Sequence, residues 1–230
     1  MTSAAFAEFV IEHEVIGFFP EPLTLKSGRK SHFYVNWRKA TNDAFLLDRL
    51  TDLIVDDLAQ LAPDCQTLYG VPEGASKTAV IAALKWAKRS PKFGLGSHVL
   101  AMGRAKPKTH GDPADRFFIG QPQGATYVLE DTITTGLSLF QCLDQLLEAQ
   151  VDVKGVICLT DRCEVRDDGL RVAEALKQRY GENMRYHALS QAPQLLRIAV
   201  ARQNPPDALV RALAAELGTS VADLTSLKKG

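Results

Sequence analysis

The spacing of apolar residues changes character more than once along the chain. Phe6, Phe9, Val10 and Ile11 follow polar Thr2 and Ser3 at helical spacing, which predicts a short amphipathic helix ending near Gly17. Aromatic and β-branched residues then flank a polar turn, Ser27-Gly28-Arg29-Lys30. They predict a hairpin with arms at 23–26 and 32–37. A helical repeat returns at 41–61 with Phe45, Leu46, Leu50, Leu53, Ile54, Leu58 and Leu61, and Asn42 is its cap candidate.

From residue 67 onward, short apolar runs alternate with longer helical patterns. Strands are expected at 67–71, 97–102, 126–130, 153–160 and 184–189, and helices at 76–88, 137–149 and 168–180. Runs such as Val153-Lys154-Gly155-Val156-Ile157-Cys158-Leu159 are mostly apolar, as strands are when helices cover both faces. The expected fold is therefore α/β, a central parallel sheet flanked by helices with a small N-terminal hairpin region. Ligands on such sheets bind at the carboxyl ends of the strands. Pro205-Pro206 sets off a terminal helical part, in which Ser220 and Asp223 form a weak capping box.

Charge narrows the classes of function. Lys plus Arg and Asp plus Glu each number 27, so no surplus positive charge draws the molecule to nucleic acid or an anionic membrane, and affinity for phosphate must be local. The first twenty residues carry Glu8, Glu12 and Glu14 and no Lys or Arg, the wrong charge for a secretory or mitochondrial leader, so a cytoplasmic protein is expected. Cys65, Cys142, Cys158 and Cys163 form no C-x-x-C pair and no metal-ligand spacing, and reduced thiols are expected.

One segment carries most of the chemistry. Tyr127-Val128-Leu129 leads into Glu130-Asp131, then Thr132-Ile133-Thr134-Thr135-Gly136-Leu137-Ser138 and an amphipathic helix. Helix-start N–H groups, hydroxyls and a glycine that lets the backbone approach make a phosphate site. The Gly-Lys-Ser/Thr of a P-loop is absent, and so is G-x-G-x-x-G. Two carboxylates before a phosphate cradle would repel a bare phosphate unless they accept hydrogen bonds from hydroxyls, which a sugar phosphate supplies. Without that ligand, the acidic pair reads as a strand end and Thr134-Thr135 as a helix cap.

The stretch from Val128 to Gly136 resembles the motif of type I phosphoribosyltransferases, which bind 5-phosphoribosyl 1-pyrophosphate. Three further segments resemble the orotate phosphoribosyltransferases among them: Leu23 to Ser31 followed by Phe33-Tyr34-Val35-Asn36; the basic loop Arg104 to Gly111; and Thr160-Asp161-Arg162-Cys163-Glu164. The resemblance implies transfer of a phosphoribosyl group to orotate, with Asp131, Lys108 and His110 catalytic. It implies a phosphoribosyl pyrophosphate site of Lys26, Arg104, Lys106, Lys108, His110 and the run Glu130, Asp131, Thr132, Ile133, Thr134, Thr135, Gly136, Leu137 and Ser138. Orotate would meet Lys26, Tyr34, Val35, Thr134 and Arg162, the last through its guanidinium fork. Mg2+ is the implied cofactor, held mainly by the substrate's pyrophosphate and not by a protein metal site. A homodimer with shared active sites is the implied assembly, with no nucleic acid or membrane partner. A single domain spans 1–230, with a hood at 1–40, a core at 41–190 and a helical part at 191–230. Taken alone, Arg162 reads as a local ion pair with Asp161 or Glu164, and Lys26, Arg29 and Lys30 as a solvated turn. A purine phosphoribosyltransferase and a ligand-sensing regulator of the same fold are the rival readings.

Two departures from the family pattern stand out. Ala105 occupies the place of a family basic residue, with Lys106 following it, and Glu73-Gly74 stands where many members carry an aromatic-lysine pair. Phosphate contacts at 73–74 must then be weaker or come from backbone. If 104–110 is extended, alternate residues share a face, which groups Arg104, Lys106, Lys108 and His110. Lys106 then takes over the missing lysine's role, worth about 1.5 to 3 kcal/mol for a charge-assisted hydrogen bond, so Lys106→Ala costs about tenfold to a hundredfold in turnover. Near-normal turnover in Lys106→Ala, together with a clear gain in Ala105→Lys, would overturn this substitution.

Overall fold

A computed structural model describes residues 4–25, 27–104, 108–110 and 116–228. Helix α1 (Ala4–Glu12) buries Phe6, Phe9, Val10 and Ile11, the residues that predicted it. It ends before the expected Gly17, because Ile16 and Gly17 already belong to a strand. β1 (Ile16–Thr24) pairs antiparallel with β2 (Lys30–Val35), with a register shift between Phe18 and Leu23. The first arm of the hairpin is thus longer than 23–26. Pro20 and Pro22 hid it, since proline cannot donate to a ladder and sits at bulges or edges. Trp37, expected in the second arm, instead precedes the one-turn helix α2 (Arg38–Thr41).

The cap of the long helix α3 (Ala44–Leu61) lies one residue beyond the expected one. Asp43, in extended conformation, accepts a hydrogen bond from the Leu46 N–H at 2.9 Å, while Asn42 closes α2. Two adjacent cap-forming residues left the choice open to the chain's path out of α2.

The central sheet is parallel, in the order β3 (Thr67–Gly70), β6 (Thr126–Ile133), β7 (Val153–Asp161), β8 (Arg185–Ala188). Helix α4 (Ser76–Arg89) follows β3, and α5 (Leu137–Glu148) follows β6. The expected strand at 97–102 contributes only β4 (Met102–Gly103), which pairs with β5 (Phe118–Ile119) in a separate antiparallel ribbon. Helix α6 is Val172–Tyr180, shorter than 168–180 because Asp168 and Gly169 form a turn, with Gly169 in the left-handed region.

Side chains alternate across the two faces of the sheet, as the strand period requires. Tyr127, Leu129, Ile157 and Leu159 join a core built with α1, the hairpin, α3 and α4. Val128, Val156 and Cys158 join a second core under α5 and α6. The C-terminal helices α7 (Ala192–Gln203), α8 (Asp207–Glu216) and α9 (Val221–Leu224) complete the first core. The expected Ser220–Asp223 capping box is present, and Pro205-Pro206 separates α7 from α8.

The observed cap yields a test. Asp43→Ala lowers stability by about 1 kcal/mol in chemical denaturation, whereas Asn42→Ala changes it by no more than about 0.5 kcal/mol. Equal losses from both would show that the helix start is misassigned.

Candidate active site

Strand β6 runs further than its apolar residues predicted. Its ladder with β7 continues through Glu130, Thr132 and Ile133, so the acidic pair lies within the strand and not at its end. The ladder with β3 stops earlier, at Gly70 opposite Leu129. Past that point the Glu130–Ile133 backbone keeps a strand neighbour on one side only, and a cleft of about 630 Å3 opens there. Its floor is Glu130 to Ser138, and its far wall is Tyr34, Val35 and Arg38.

The loop expected to take phosphate leads into a helix start. Gly136 caps α5 with φ of 78°, and a Cβ there would come within 3.0 Å of the Phe140 ring. The first turn of α5 therefore presents its N–H groups to the cleft beside Thr134 and Thr135. Arg166 supports the loop from behind: its Nη1 donates to the Thr135 carbonyl at 2.5 Å, and its guanidinium lies over the Phe140 ring.

Both carboxylates of the acidic pair are shielded. Glu130 is 6% exposed, and its Oε1 accepts from the Asp131 N–H at 3.2 Å. Burial pushes the Asp131 carboxyl above its ordinary range, while hydrogen bonds with Glu130 and Thr132 and the charge of Arg38 pull it back. Arg38 was missed by sequence reasoning: it stands directly after Trp37 and looks like any exposed helix-start cation. Only the fold brings it to the acidic pair. Gly74 presses on the same carboxylate, since a Cβ at Gly74 would fall 2.6 Å from Asp131 Oδ2. The missing side chain at 74 is thus matched to the position of Asp131. Cys142 also lines the cleft, but burial, and then the charge of Glu130, push its thiol up to about 12. A thiolate nucleophile is not on offer at neutral pH.

The wall carrying Tyr34 and Val35 is braced by Arg162, which is 2% exposed. Its Nε donates to Glu164 Oε1 at 2.6 Å, Nη2 to Ser31 Oγ at 2.9 Å and Nη1 to the Phe33 carbonyl at 3.4 Å. Its plane lies 3.9 Å over the Phe33 ring. The pairing with Glu164 that the sequence alone suggested is present. Three of the five guanidinium N–H groups are donated in this way, which leaves one hydrogen on Nη1 and one on Nη2, the latter beside Glu216 at 3.5 Å. Arg29 closes the other side of Glu164 at 3.0 Å and reaches Asp167 at 2.8 Å, which pins the hairpin turn to the 162–168 segment.

The cleft gathers Tyr34, Val35, Arg104, Arg162 and all nine residues from Glu130 to Ser138. Arg104 sits at the base of the β4–β5 ribbon, its N–H on the Phe117 carbonyl. Lys108 and His110 are exposed and are not among the described residues that line the cleft. Lys26, Ala105 and Lys106 lie outside the described residues. Further lining comes from Asn36 and Glu73, which lie in the segments compared with the family, and from Gln141 and Gln145, polar residues that no motif singled out.

A parallel sheet with an acidic pair, a hydroxyl-rich loop and a helix start at one strand end is the architecture of the type I phosphoribosyltransferases. Orotate phosphoribosyltransferase of Francisella tularensis superposes with a TM-score of 0.68 over 94% of this chain and 100% of its own, at 19% identity. The enzyme of Mycobacterium tuberculosis, solved with 5-phospho-α-D-ribosyl 1-diphosphate, gives 0.54 over 83% of this chain and 98% of its own, at 22% identity. In sequence, orotate phosphoribosyltransferase of Thermosynechococcus vestitus is 35% identical over 145 residues, 60% of this chain and 70% of that relative. No protein-family model matches. The chain belongs to the orotate phosphoribosyltransferase family.

Burial of Asp131 separates its functional from its structural role. Its folded-state pKa lies above the unfolded value, so the folded state holds the proton more tightly and the ionised carboxylate lowers stability as pH rises through that pKa. Asp131→Asn therefore leaves the melting temperature at neutral pH unchanged or higher. If the carboxylate holds ligand hydroxyls, the same change lowers kcat/KM for the sugar phosphate by about tenfold to a hundredfold. A lower melting temperature with intact kinetics would reverse the assignment.

Proposed function

We propose that the chain transfers the 5-phosphoribosyl group from 5-phosphoribosyl 1-pyrophosphate to orotate, giving orotidine 5-phosphate and pyrophosphate in pyrimidine synthesis. The observation that carries this is that the Glu130–Ser138 segment and Tyr34, Val35 and Arg162 line one and the same cleft. In this reading the loop from Thr132 to Ser138 takes the 5-phosphate, with Gly136 admitting it and the start of α5 supplying N–H groups. Glu130 and Asp131 take the ribose hydroxyls, which are donors matched to carboxylate acceptors. The β2 backbone and the guanidinium of Arg162 take the base. A buried cation with backbone groups beside it suits a planar anion with an amide edge.

The bond at the anomeric carbon breaks ahead of bond formation, so positive charge develops on the ribose directly above the acidic pair. Catalysis is then mostly electrostatic and needs no covalent nucleophile, in keeping with the protonated Cys142. Arg104, Lys106, Lys108 and His110 are assigned to the departing pyrophosphate, with the basic loop closing to exclude water.

Mg2+ belongs to the same reading. Glu130 and Asp131 give carboxylate oxygens at the cleft floor. That donor set fits an ion carried chiefly by the substrate's pyrophosphate, with the acidic pair as its protein neighbour. Bound there, Mg2+ would neutralise charge growing on the leaving group. The whole chain acts as one catalytic unit, a homodimer with shared sites, in the cytoplasm. No helix among the described residues is long and apolar enough to cross a membrane, and the four cysteines are free.

Incubating the protein with 5-phosphoribosyl 1-pyrophosphate, Mg2+ and each of orotate, uracil, adenine, hypoxanthine and guanine, and following pyrophosphate release, tests the reading. Orotate is consumed in preference. Turnover of a purine with none of orotate would refute the assignment.

A further inference from the structure

The C-terminal helical part enters the base-binding wall through one side chain, Glu216 at the end of α8. Its Oε2 accepts from the His32 N–H at 2.8 Å. Its Oε1 accepts from Ser31 Oγ and lies 3.5 Å from Arg162 Nη2. Glu216 is not itself one of the described residues that line the cleft. Both of its side-chain partners on the wall are enclosed, Ser31 at 0% and Arg162 at 2% exposure.

Ser31 has a single hydroxyl proton and two acceptors in reach, the Phe33 carbonyl at 2.7 Å and Glu216 Oε1. An ionised acceptor makes the stronger hydrogen bond, so the proton goes to Glu216. The hydroxyl oxygen is then oriented to receive Arg162 Nη2 and the Phe33 N–H. One carboxylate thus sets the hydroxyl rotor, holds a β2 backbone N–H and balances a buried guanidinium. The roll of Arg162 over the Phe33 ring decides where its undonated N–H groups point. Glu164 fixes the Nε corner of that guanidinium, and Glu216 with Ser31 fixes the Nη2 corner.

We propose that Glu216 is a positioning residue for orotate, acting through Ser31, the His32 backbone and Arg162 without touching substrate; this rests on the function proposed above. The sugar-phosphate half of the cleft is held by Arg166 and the start of α5, whereas Ser31, His32 and Arg162 all stand on the base side, so the effect of Glu216 falls on one substrate only.

The test varies orotate and 5-phosphoribosyl 1-pyrophosphate separately in steady-state kinetics of the wild type, Glu216→Gln and Glu216→Ala, with thermal melting alongside. Glu216→Ala removes the charge-assisted hydrogen bonds, which raises the KM for orotate about tenfold and leaves that for the sugar phosphate within about twofold. Glu216→Gln keeps an acceptor of the same shape and falls between, and it carries the test if the alanine variant does not fold. Equal rises in both KM values, or a lower melting temperature with unchanged kinetics, would reduce Glu216 to a structural brace and overturn the proposal. Absence of wild-type turnover with orotate is a different failure: it removes the functional reading itself, and the positioning role with it.

Discussion

The step between two ladders governs this molecule. A strand inside a parallel sheet has its backbone groups paired on both sides and its faces covered, so it has no room for a ligand or for uncompensated carboxylates. β6 meets that condition from Thr126 to Leu129, where β3 and β7 both pair with it. β3 then ends, and β6 goes on for four residues, Glu130 to Ile133, against β7 alone. Those residues inherit the rigidity of the sheet on one side and an opening on the other. Catalytic groups placed on such a ledge need no loop to hold them, which fits a reaction whose barrier is lowered by fixed charges. The Val71–Ala75 turn, with the Ala75 N–H on the Val71 carbonyl, lets Gly74 close over Asp131 at the lip of the step.

That packing also gives a physical reading of one departure from the family pattern. Any side chain at 74 would begin 2.6 Å from Asp131 Oδ2, so its first carbon displaces the carboxylate assigned to ribose. A lysine here would supply a charge for pyrophosphate at the expense of the acidic pair. Glycine keeps Asp131 where it is and, in the proposed reading, leaves phosphate contacts at this turn to backbone N–H groups. Arg38, which lines the same cleft, adds a positive charge that bears on Asp131.

What could be read from the chain in advance follows a physical division. The alternation of strands and helices, the phosphate loop and its helix start were legible because each is written in consecutive residues: Glu130 to Ser138 lie on one strand, one turn and one helix end. Boundaries failed where two local signals competed. Asn42 and Asp43 are both good caps, and only the exit from α2 decides between them. The prolines of β1 masked a strand that tolerates them because it is two-stranded and irregular. The run 97–102 had the composition of a strand, but most of it found no sheet to join. Arg38, Gln141 and Glu216 gave no signal at all, since nothing in their neighbourhoods differs from an ordinary exposed helix.

The same division separates the two halves of the cleft. In the proposed reading the sugar-phosphate half is mostly local in sequence: its brace Arg166 lies only 31 residues from Thr135, although Arg38 and Gly74 come to Asp131 from farther along the chain. The base half is assembled from ends of the chain: Arg29 reaches Glu164 across 135 residues, Arg162 reaches Ser31 across 131, and Glu216 reaches Ser31 across 185. Each of these links closes a long loop, and the entropy of closure is met only when the cores on both faces are in place. The position of the hairpin over the cleft is thus tied to the C-terminal helices by the contacts of Glu216. A site built this way couples substrate selectivity to the completeness of the fold. In the proposed reading, phosphate recognition depends on a segment local in sequence, whereas recognition of the base depends on residues that meet only in the finished molecule.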